Sequence, residues 1–221
     1  MEESLRRAFI EYGVKLSIEK GKMLRRENET QGKQYVYWLE DGICALTSMT
    51  KGGEEWTYLY FRAKRLVAFS KLIVSRKEQP DKPALYLTAK TNCSVYRLTG
   101  QVFRRIFSTN PEFNALMLQT LADNYDELLI HFHRTKEETA AARLCRLLLD
   151  TSALNNNKRT LPRFFTHEEL ARYLGTHTVT VSRIMAELIR RGFISKSGRE
   201  IVIEREDELW RVIQAESDLR Y

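Results

Sequence analysis

The side chains best suited to chemistry lie in a short segment near the C-terminus of this 221-residue chain. Thr178, Val179 and Ser182 are small, Arg183 beside them is a cation, and Arg190 lies further along. Hydroxyl and guanidinium groups can hydrogen-bond base edges and phosphates, and small side chains permit close approach. An ordinary solvated helix face mixes Glu with Lys, whereas this set contains no acid. The pattern indicates a nucleic-acid contact rather than a catalytic centre.

Two short helices are predicted to hold these side chains. Thr166 is predicted to cap the first helix, with Glu169 reaching back to it as in a capping box. Gly175 is predicted to end that helix in the left-handed conformation, and Gly192 to end the second helix. Two helices joined by a turn that contains glycine form a helix-turn-helix, whose second helix enters the major groove of DNA. The predicted buried face of the second helix comprises Val181, Ile184, Met185 and Leu188.

A hairpin wing is predicted directly after the second helix. Residues 193–195 and 201–203 have the apolar character of short strands, and a polar turn with a glycine joins them. Lys196 and Arg199 lie in this turn, where their charges suit contact with phosphates.

Charge is distributed unevenly along the chain, whose formal net charge is +7. From residue 158 to 199 there are nine Lys and Arg against three Glu, whereas from 200 to 221 there are three Arg against seven acids. A basic segment followed by an acidic tail indicates a localised phosphate-facing surface. The first half of the chain is also basic, so charge alone does not identify the binding face.

The first half of the chain has the composition of an antiparallel β-domain. From residue 22 to 98, short runs of β-branched and aromatic residues alternate with turn signals such as Gly42 and the Gly52-Gly53 pair. Residues 74–83 contain two prolines and are predicted to form an exposed loop. This pattern predicts an antiparallel barrel or sandwich.

A long helix is predicted after the β-domain, because no Gly or Pro interrupts the chain from Glu112 to Thr139. Its apolar residues recur at steps of three and four, the spacing of a coiled-coil seam. Roughly 28 residues at about 1.5 Å each outrun a small barrel, so the apolar stripe would be exposed unless a second copy covered it. The alternative is a helix that packs only on its own β-domain. The predicted dimer seam comprises Leu118, Leu121, Tyr125, Leu128 and Phe132.

These segments together resemble the Crp/Fnr family of bacterial transcription regulators. Residues 166–203 are similar to the family's DNA-binding domain. Within them Gly-Thr-His-Thr-Val-Thr-Val-Ser-Arg at 175–183 resembles its recognition-helix signature, most of all that of the regulators of halorespiration. Residues 39–46, followed by Gly-Gly-Glu-Glu at 52–55, are similar to its β-roll core.

The resemblance implies an α+β chain in three parts. An N-terminal antiparallel β-roll (a cupin-like jelly roll, related to cyclic nucleotide-binding domains) is expected at 1–109, where it would sense an effector. A long dimerisation helix is expected at 110–139, and a winged helix-turn-helix DNA-binding domain at 140–221. The chain is then a homodimeric regulator with double-stranded DNA and RNA polymerase as partners. A winged helix that binds another protein instead of DNA is the alternative.

The resemblance also assigns the DNA contacts. Thr166, His167 and Thr180 match positions that touch the DNA backbone, although for His167 an exposed polar residue without a contact is the alternative. Family members that read guanine usually have Glu where this chain has Val179, whose methyl groups can contact a thymine methyl. We therefore expect an A·T-rich palindromic operator, with Arg183 on a base edge or a phosphate. The predicted set is Thr166, His167, Thr176, His177, Thr178, Val179, Thr180, Ser182, Arg183, Lys196 and Arg199.

Two observations disfavour a cyclic nucleotide as the effector. In the cyclic-nucleotide branch of the family, a Gly-Glu-Leu turn binds the ribose and an Arg-Ser/Thr-Ala step binds the phosphate. Here residues 68–71 read Ala-Phe-Ser-Lys and residues 82–84 read Lys-Pro-Ala, so both the Glu and the bidentate Arg are missing. A cyclic-nucleotide-responsive regulator stays the second choice.

Cysteine and histidine usage disfavours a metal or haem sensor. Cys44, Cys93 and Cys145 lie far apart in sequence, and an iron–sulfur cluster needs four such ligands. No histidine precedes His131, and His131 and His133 face apart on a helix. We expect no metal, no cofactor and no enzymatic activity. Because no long apolar run or leader is present, we expect a cytoplasmic protein with three reduced cysteines, the alternative being a redox-sensing thiol.

The remaining expectation is a small-molecule effector, anionic or aromatic, between the barrel and the long helix; a regulator without any ligand is the alternative. At Asn124 the halorespiration regulators carry a lysine that pairs with a phenolate, and Asn cannot supply that charge. Simple packing of barrel against helix is the competing explanation for each lining residue. The predicted lining comprises Phe69, Lys71, Tyr86, Asn124, Tyr125 and Leu128.

Overall fold

The computed structural model describes residues 2–26, 34–50, 52–73, 84–155, 158–198, 200–215 and 219. The chain divides into two compact units, Met1–Leu128 and Leu129–Tyr221, and the division falls inside one continuous helix. The α+β class and the predicted order of β-domain, long helix and winged helix-turn-helix are confirmed.

The first unit contains two four-stranded antiparallel sheets within its described residues. Its strands are β1 (Val14–Ile18), β2 (Met23–Arg26), β3 (Tyr35–Asp41), β4 (Ile43–Met49), β5 (Glu55–Arg62), β6 (Arg65–Val67), β7 (Leu85–Ala89) and β8 (Cys93–Thr99). One sheet has the order β1-β8-β3-β6 and the other β2-β7-β4-β5. The predicted loop at 74–83 lies outside the described residues.

Four helices accompany these sheets in the described part of the chain: α1 (Glu2–Tyr12), α2 (Ser70–Ile73), α3 (Gly100–Thr109) and α4 (Pro111–Glu137). Burial alternates with period two along β5 and β7, whereas residues 36–39 of β3 are buried on both faces of the strand. One core cluster lies among strand residues such as Leu39, Leu59 and Val95. A second cluster, with Phe9 and Trp38, joins the sheet containing β3 to α1, α3 and the first turns of α4.

The second unit follows α4 with α5 (Ala140–Thr151), α6 (His167–Leu174), α7 (Thr178–Arg190) and α8 (Glu206–Ile213). Its sheet has the order β11-β12-β10-β9, from β9 (Ala153–Asn155), β10 (Lys158–Thr160), β11 (Ile194–Ser197) and β12 (Glu200–Ile203). The helices enclose a leucine-rich core. Within the described residues, no helix has the length and apolar character needed to cross a membrane.

The break between α4 and α5 has a local cause. Thr139 caps α5, because its Oγ1 accepts a hydrogen bond from the Ala142 backbone N–H at 3.1 Å. The guanidinium of Arg143 donates to the carbonyl oxygens of Thr135 and Glu138 at 3.2 and 2.7 Å. These bonds satisfy carbonyl groups at the end of α4, so the chain ends one helix and begins the next within two residues.

Candidate nucleic-acid interface

The start and end of α6 set the geometry of the helix-turn-helix. Thr166 is the N-cap, and its side chain accepts a hydrogen bond from the Glu169 backbone N–H at 3.2 Å. Gly175 adopts the predicted left-handed conformation, with φ 61° and ψ 43°. The Thr166 backbone N–H, for which the capping box predicts Glu169 as acceptor, donates to the Phe164 carbonyl oxygen at 2.8 Å.

Replacing Thr166 with alanine removes the acceptor for the Glu169 N–H. We expect the free energy of unfolding to fall by about 1 kcal/mol, the usual cost of losing such a cap. Urea denaturation followed by circular dichroism measures this change, and Thr166→Ser, which keeps the hydroxyl, is the matched control. Equal stability of the alanine and serine variants would contradict a capping role.

The second helix, α7, is anchored by its apolar face. Val181, Ile184, Met185 and Leu188 are all buried, which confirms the predicted set. Gly192 follows the helix with a φ of 71°, as predicted for its end. The anchored face fixes the rotation of α7 and therefore which side chains point outward.

The outward face of α7 presents Thr178, Val179 and Arg183, with His177 exposed at its N-cap. Val179 is 61% exposed, so its methyl groups are accessible to a partner molecule. Within the described ranges, Arg183 has no carboxylate partner. Its charge is therefore free to meet a partner molecule.

Arg190 differs from Arg183. Its guanidinium and that of Arg191 both pair with Glu187, each with a nitrogen–oxygen distance of 2.7 Å. These bonds lower the pKa of the Glu187 carboxyl to about 2. The spacings of three and four residues are those of helix ion pairs, so this cluster is indicated by the sequence itself.

The first turn of α7 leaves backbone donors available. No side chain caps it, since His177 makes no capping hydrogen bond. The first N–H groups of a helix have no acceptor within the helix, and the helix dipole places partial positive charge there. A helix start of this kind favours a phosphate.

His167 and Ser182 connect α6 to α7. The His167 Nδ1 and the Ser182 Oγ lie 2.8 Å apart, and both side chains are half-buried. Burial, followed by the positive charge of Lys196, lowers the pKa of His167. Ser182, which is predicted to contact DNA, thus also makes a hydrogen bond within the helix-turn-helix. No spacing in the sequence indicated this bond.

The other predicted DNA contacts lie around this helix. Thr166 is exposed, whereas Thr176 and Thr180 are half-buried. Lys196 is exposed on β11, at the hairpin that pairs Ser197 with Glu200. Arg199 lies outside the described residues.

Part of the predicted effector lining borders a cavity of about 190 Å³ in the first unit. Phe69, Tyr86, Asn124 and Leu128 line it, together with aliphatic residues of several strands. The Oδ1 atom of Asn124 is buried and makes no hydrogen bond with the described residues. Tyr125 does not line this cavity. The side chain of Lys71 and residues 82–83 lie outside the described part of the chain.

The predicted dimer seam of α4 is exposed except at one position. Leu118, Leu121, Tyr125 and Phe132 are exposed, whereas Leu128 is half-buried and packs against the core between the sheets. The adjacent Leu129 is 47% exposed. The exposed stripe therefore passes through Leu129, and Leu128 belongs to the barrel side of the helix.

Comparison with known proteins agrees with this geometry. Residues 142–212 match the Crp-like helix-turn-helix domain. The transcriptional activator protein Anr of Pseudomonas aeruginosa is 23% identical over 187 residues, which cover 84% of this chain and 75% of Anr. A regulator of the Crp/Fnr family from Eubacterium rectale superposes with a TM-score of 0.75 at 14% identity, covering 96% of this chain and 94% of that one.

A further solved structure is the c-di-GMP-responsive global regulator CLP of Xanthomonas campestris. It has a TM-score of 0.71 and 16% identity, with 91% of this chain and 98% of CLP covered. Residues 142–212 therefore form a Crp-like helix-turn-helix domain, and the chain shares its fold with solved regulators of the Crp/Fnr family.

Proposed function

We propose that this chain is a homodimeric transcription regulator whose α7 reads an A·T-rich palindromic operator, under the control of a small effector. The observation that carries the proposal is the outward face of α7, where an exposed valine lies beside an arginine that has no carboxylate partner among the described residues. Such a regulator works in the cytoplasm, and RNA polymerase is its further partner.

The side chains of this face suggest the type of operator. Val179 has no hydrogen-bonding group, and its exposed methyl groups fit the methyl group of thymine in the major groove. Arg183 supplies the polar contact, to a base edge or to a phosphate. The first turn of α7 and Lys196 of the wing add phosphate contacts, which fix the register of the helix without reading sequence.

Dimer formation is supported by the exposed side chains of α4. Leu118, Tyr125, Leu129 and Phe132 follow one another at steps of seven, four and three residues. This is a heptad seam, and monomeric proteins rarely leave such an apolar stripe uncovered. A twofold dimer presents two recognition helices about one DNA turn apart, roughly 34 Å, which matches a palindromic site.

The cavity supports a small, mainly apolar effector with one hydrogen-bond donor. Its volume of about 190 Å³ exceeds the engineered cavity of about 150 Å³ that holds benzene, and is below the range of about 300–1,000 Å³ for larger ligands. The described lining contains no Lys or Arg for a phosphate. CLP responds to c-di-GMP, and a cyclic nucleotide is the second candidate here.

Phenol and toluene are matched probes for the cavity, because only phenol has a hydroxyl group that can donate a hydrogen bond to Asn124 Oδ1. An unsatisfied buried acceptor costs about 1–3 kcal/mol, so Asn124→Leu should lower the phenol-to-toluene affinity ratio about tenfold. Titrations followed by methyl NMR measure both affinities. An unchanged ratio would separate Asn124 from ligand binding, and shifts induced by c-di-GMP alone would favour the cyclic-nucleotide alternative.

Selection from random-sequence DNA tests the proposed function. We expect enrichment of A·T-rich palindromes with half-sites one helical turn apart. Affinity for the selected sequence should fall steeply with salt, because phosphate contacts release counterions. Absence of any DNA binding would favour the alternative, a winged helix that binds another protein.

A further inference from the structure

Two of the three cysteines meet inside the first unit, although 49 residues separate them in sequence. Cys44 lies on β4 and Cys93 begins β8, and these strands belong to different sheets. Both side chains are buried, and their Sγ atoms are 3.8 Å apart. The fold thus creates a dithiol that sequence spacing did not indicate.

The dithiol lies where the turn after β3 packs on the turn before β8. The Ile43 backbone N–H donates to Thr91 Oγ1 at 2.9 Å, which ties the two turns together. Gly42 has a φ of 97°, and a Cβ atom there would lie 2.7 Å from Cys93 Sγ. A residue with a side chain does not fit, so the sulfur is covered at this point by backbone alone.

The two thiols have different acidities. A hydrogen bond from the Cys44 thiol to the Cys93 sulfur lowers the pKa of Cys93, and the Thr91 hydroxyl acts in the same direction. The same sulfur–sulfur bond, together with burial, raises the pKa of Cys44. Cys93 is therefore suited to be the attacking thiolate and Cys44 the second thiol that completes a disulfide.

We propose that Cys44 and Cys93 are an oxidisable pair, which hydroperoxides convert into a disulfide between the two sheets. The Cys93 thiolate attacks one peroxide oxygen and breaks the O–O bond, giving a sulfenic acid and, after protonation of the leaving oxygen, water or an alcohol. The Cys44 sulfur then attacks the Cys93 sulfur, loses its proton and displaces hydroxide, which leaves as water. Two thiols are oxidised, and one peroxide is reduced.

The sulfur atoms need only a short approach for this reaction, from 3.8 Å to about 2.05 Å. Both cysteines belong to the core cluster that also contains Leu59 and Leu87, and these two leucines line the 190 Å³ cavity. A disulfide would thus fix two strands next to the wall of that cavity. The proposal itself does not depend on DNA binding or on an effector.

Cys145 provides an internal control in the same molecule. It is buried in α5, and burial raises its pKa to about 12. The reduced full-length protein is treated with hydrogen peroxide, denatured and alkylated with iodoacetamide, and its peptides are mapped by mass spectrometry. We expect the protein to lose two hydrogen atoms and the peptides that contain Cys44 and Cys93 to be joined by a disulfide. Cys145 should be oxidised at least about tenfold more slowly.

The variants separate the two steps of the reaction. Cys44→Ser, which keeps a hydrogen-bond donor beside Cys93, should accumulate a sulfenic acid at Cys93 that dimedone traps, whereas Cys93→Ala should leave Cys44 reduced. Three intact thiols at a peroxide dose that oxidises free N-acetylcysteine would overturn the proposal. Equal loss of Cys145, or a disulfide between two chains, would overturn it as well. If a variant fails to fold, the peptide map of the unaltered protein still tests whether the disulfide between Cys44 and Cys93 forms.

Discussion

Arg183→Ala is expected to weaken binding to a selected palindromic operator by about 5- to 150-fold, which corresponds to about 1–3 kcal/mol. Arg183 is exposed on the outer face of α7 and has no carboxylate partner within the described residues. Arg183 can therefore contact DNA without breaking an existing ion pair. Fluorescence anisotropy with labelled duplexes measures the change in dissociation constant.

The contact type can be read from the same titrations. If Arg183 meets a base edge, the alanine variant should bind altered operators almost as well as the selected one. If it meets a phosphate, affinity should fall uniformly across sequences and the salt slope should decrease by about one. An unchanged dissociation constant would remove Arg183 from the interface.

Arg190→Ala is the matched control, since it removes the same charge from the same helix. Arg190 already pairs with Glu187, and it lies two turns further along α7. We expect less than about a twofold change, which is within the usual range for a surface pair. Equal losses in both variants would indicate general attraction between charges rather than a specific reading surface.

The sequence predicted those features that depend on local chemistry. Thr166 and Gly175 mark helix ends because capping oxygens and left-handed glycines act within a few residues. The apolar face of α7 follows directly from a period of 3.6 residues. The fold class followed from the order of such elements and from the resemblance to a family, and the structure confirms the fold class.

Features that depend on contacts between distant segments were not predictable in this way. The His167–Ser182 hydrogen bond joins residues that lie 15 positions apart on two helices, and the Cys44–Cys93 pair joins two sheets. Each depends on how the elements pack, which no spacing in the sequence records. The apolar stripe on α4 was predictable only in part. Periodicity located the stripe but did not distinguish Leu128 from Leu129.

The distinction between these two leucines gives the second prediction of large effect. Leu129→Glu places a carboxylate in the apolar stripe of α4, and twofold symmetry places a second one opposite it. An uncompensated buried charge costs about 3–5 kcal/mol, so the dimer dissociation constant should rise more than about a hundredfold. Sedimentation equilibrium of the full-length protein measures this change.

Ile130→Glu is the matched control for Leu129→Glu. Ile130 is the next residue on the same helix and is 48% exposed, against 47% for Leu129, but it points about 100° away from the stripe. The two variants add the same charge at nearly the same exposure, so a general effect of the charge on α4 would appear in both. Dissociation only in Leu129→Glu supports a seam through Leu118, Tyr125, Leu129 and Phe132. If both variants stay dimeric, the chain dimerises through another surface, and the apolar stripe on α4 requires a different partner.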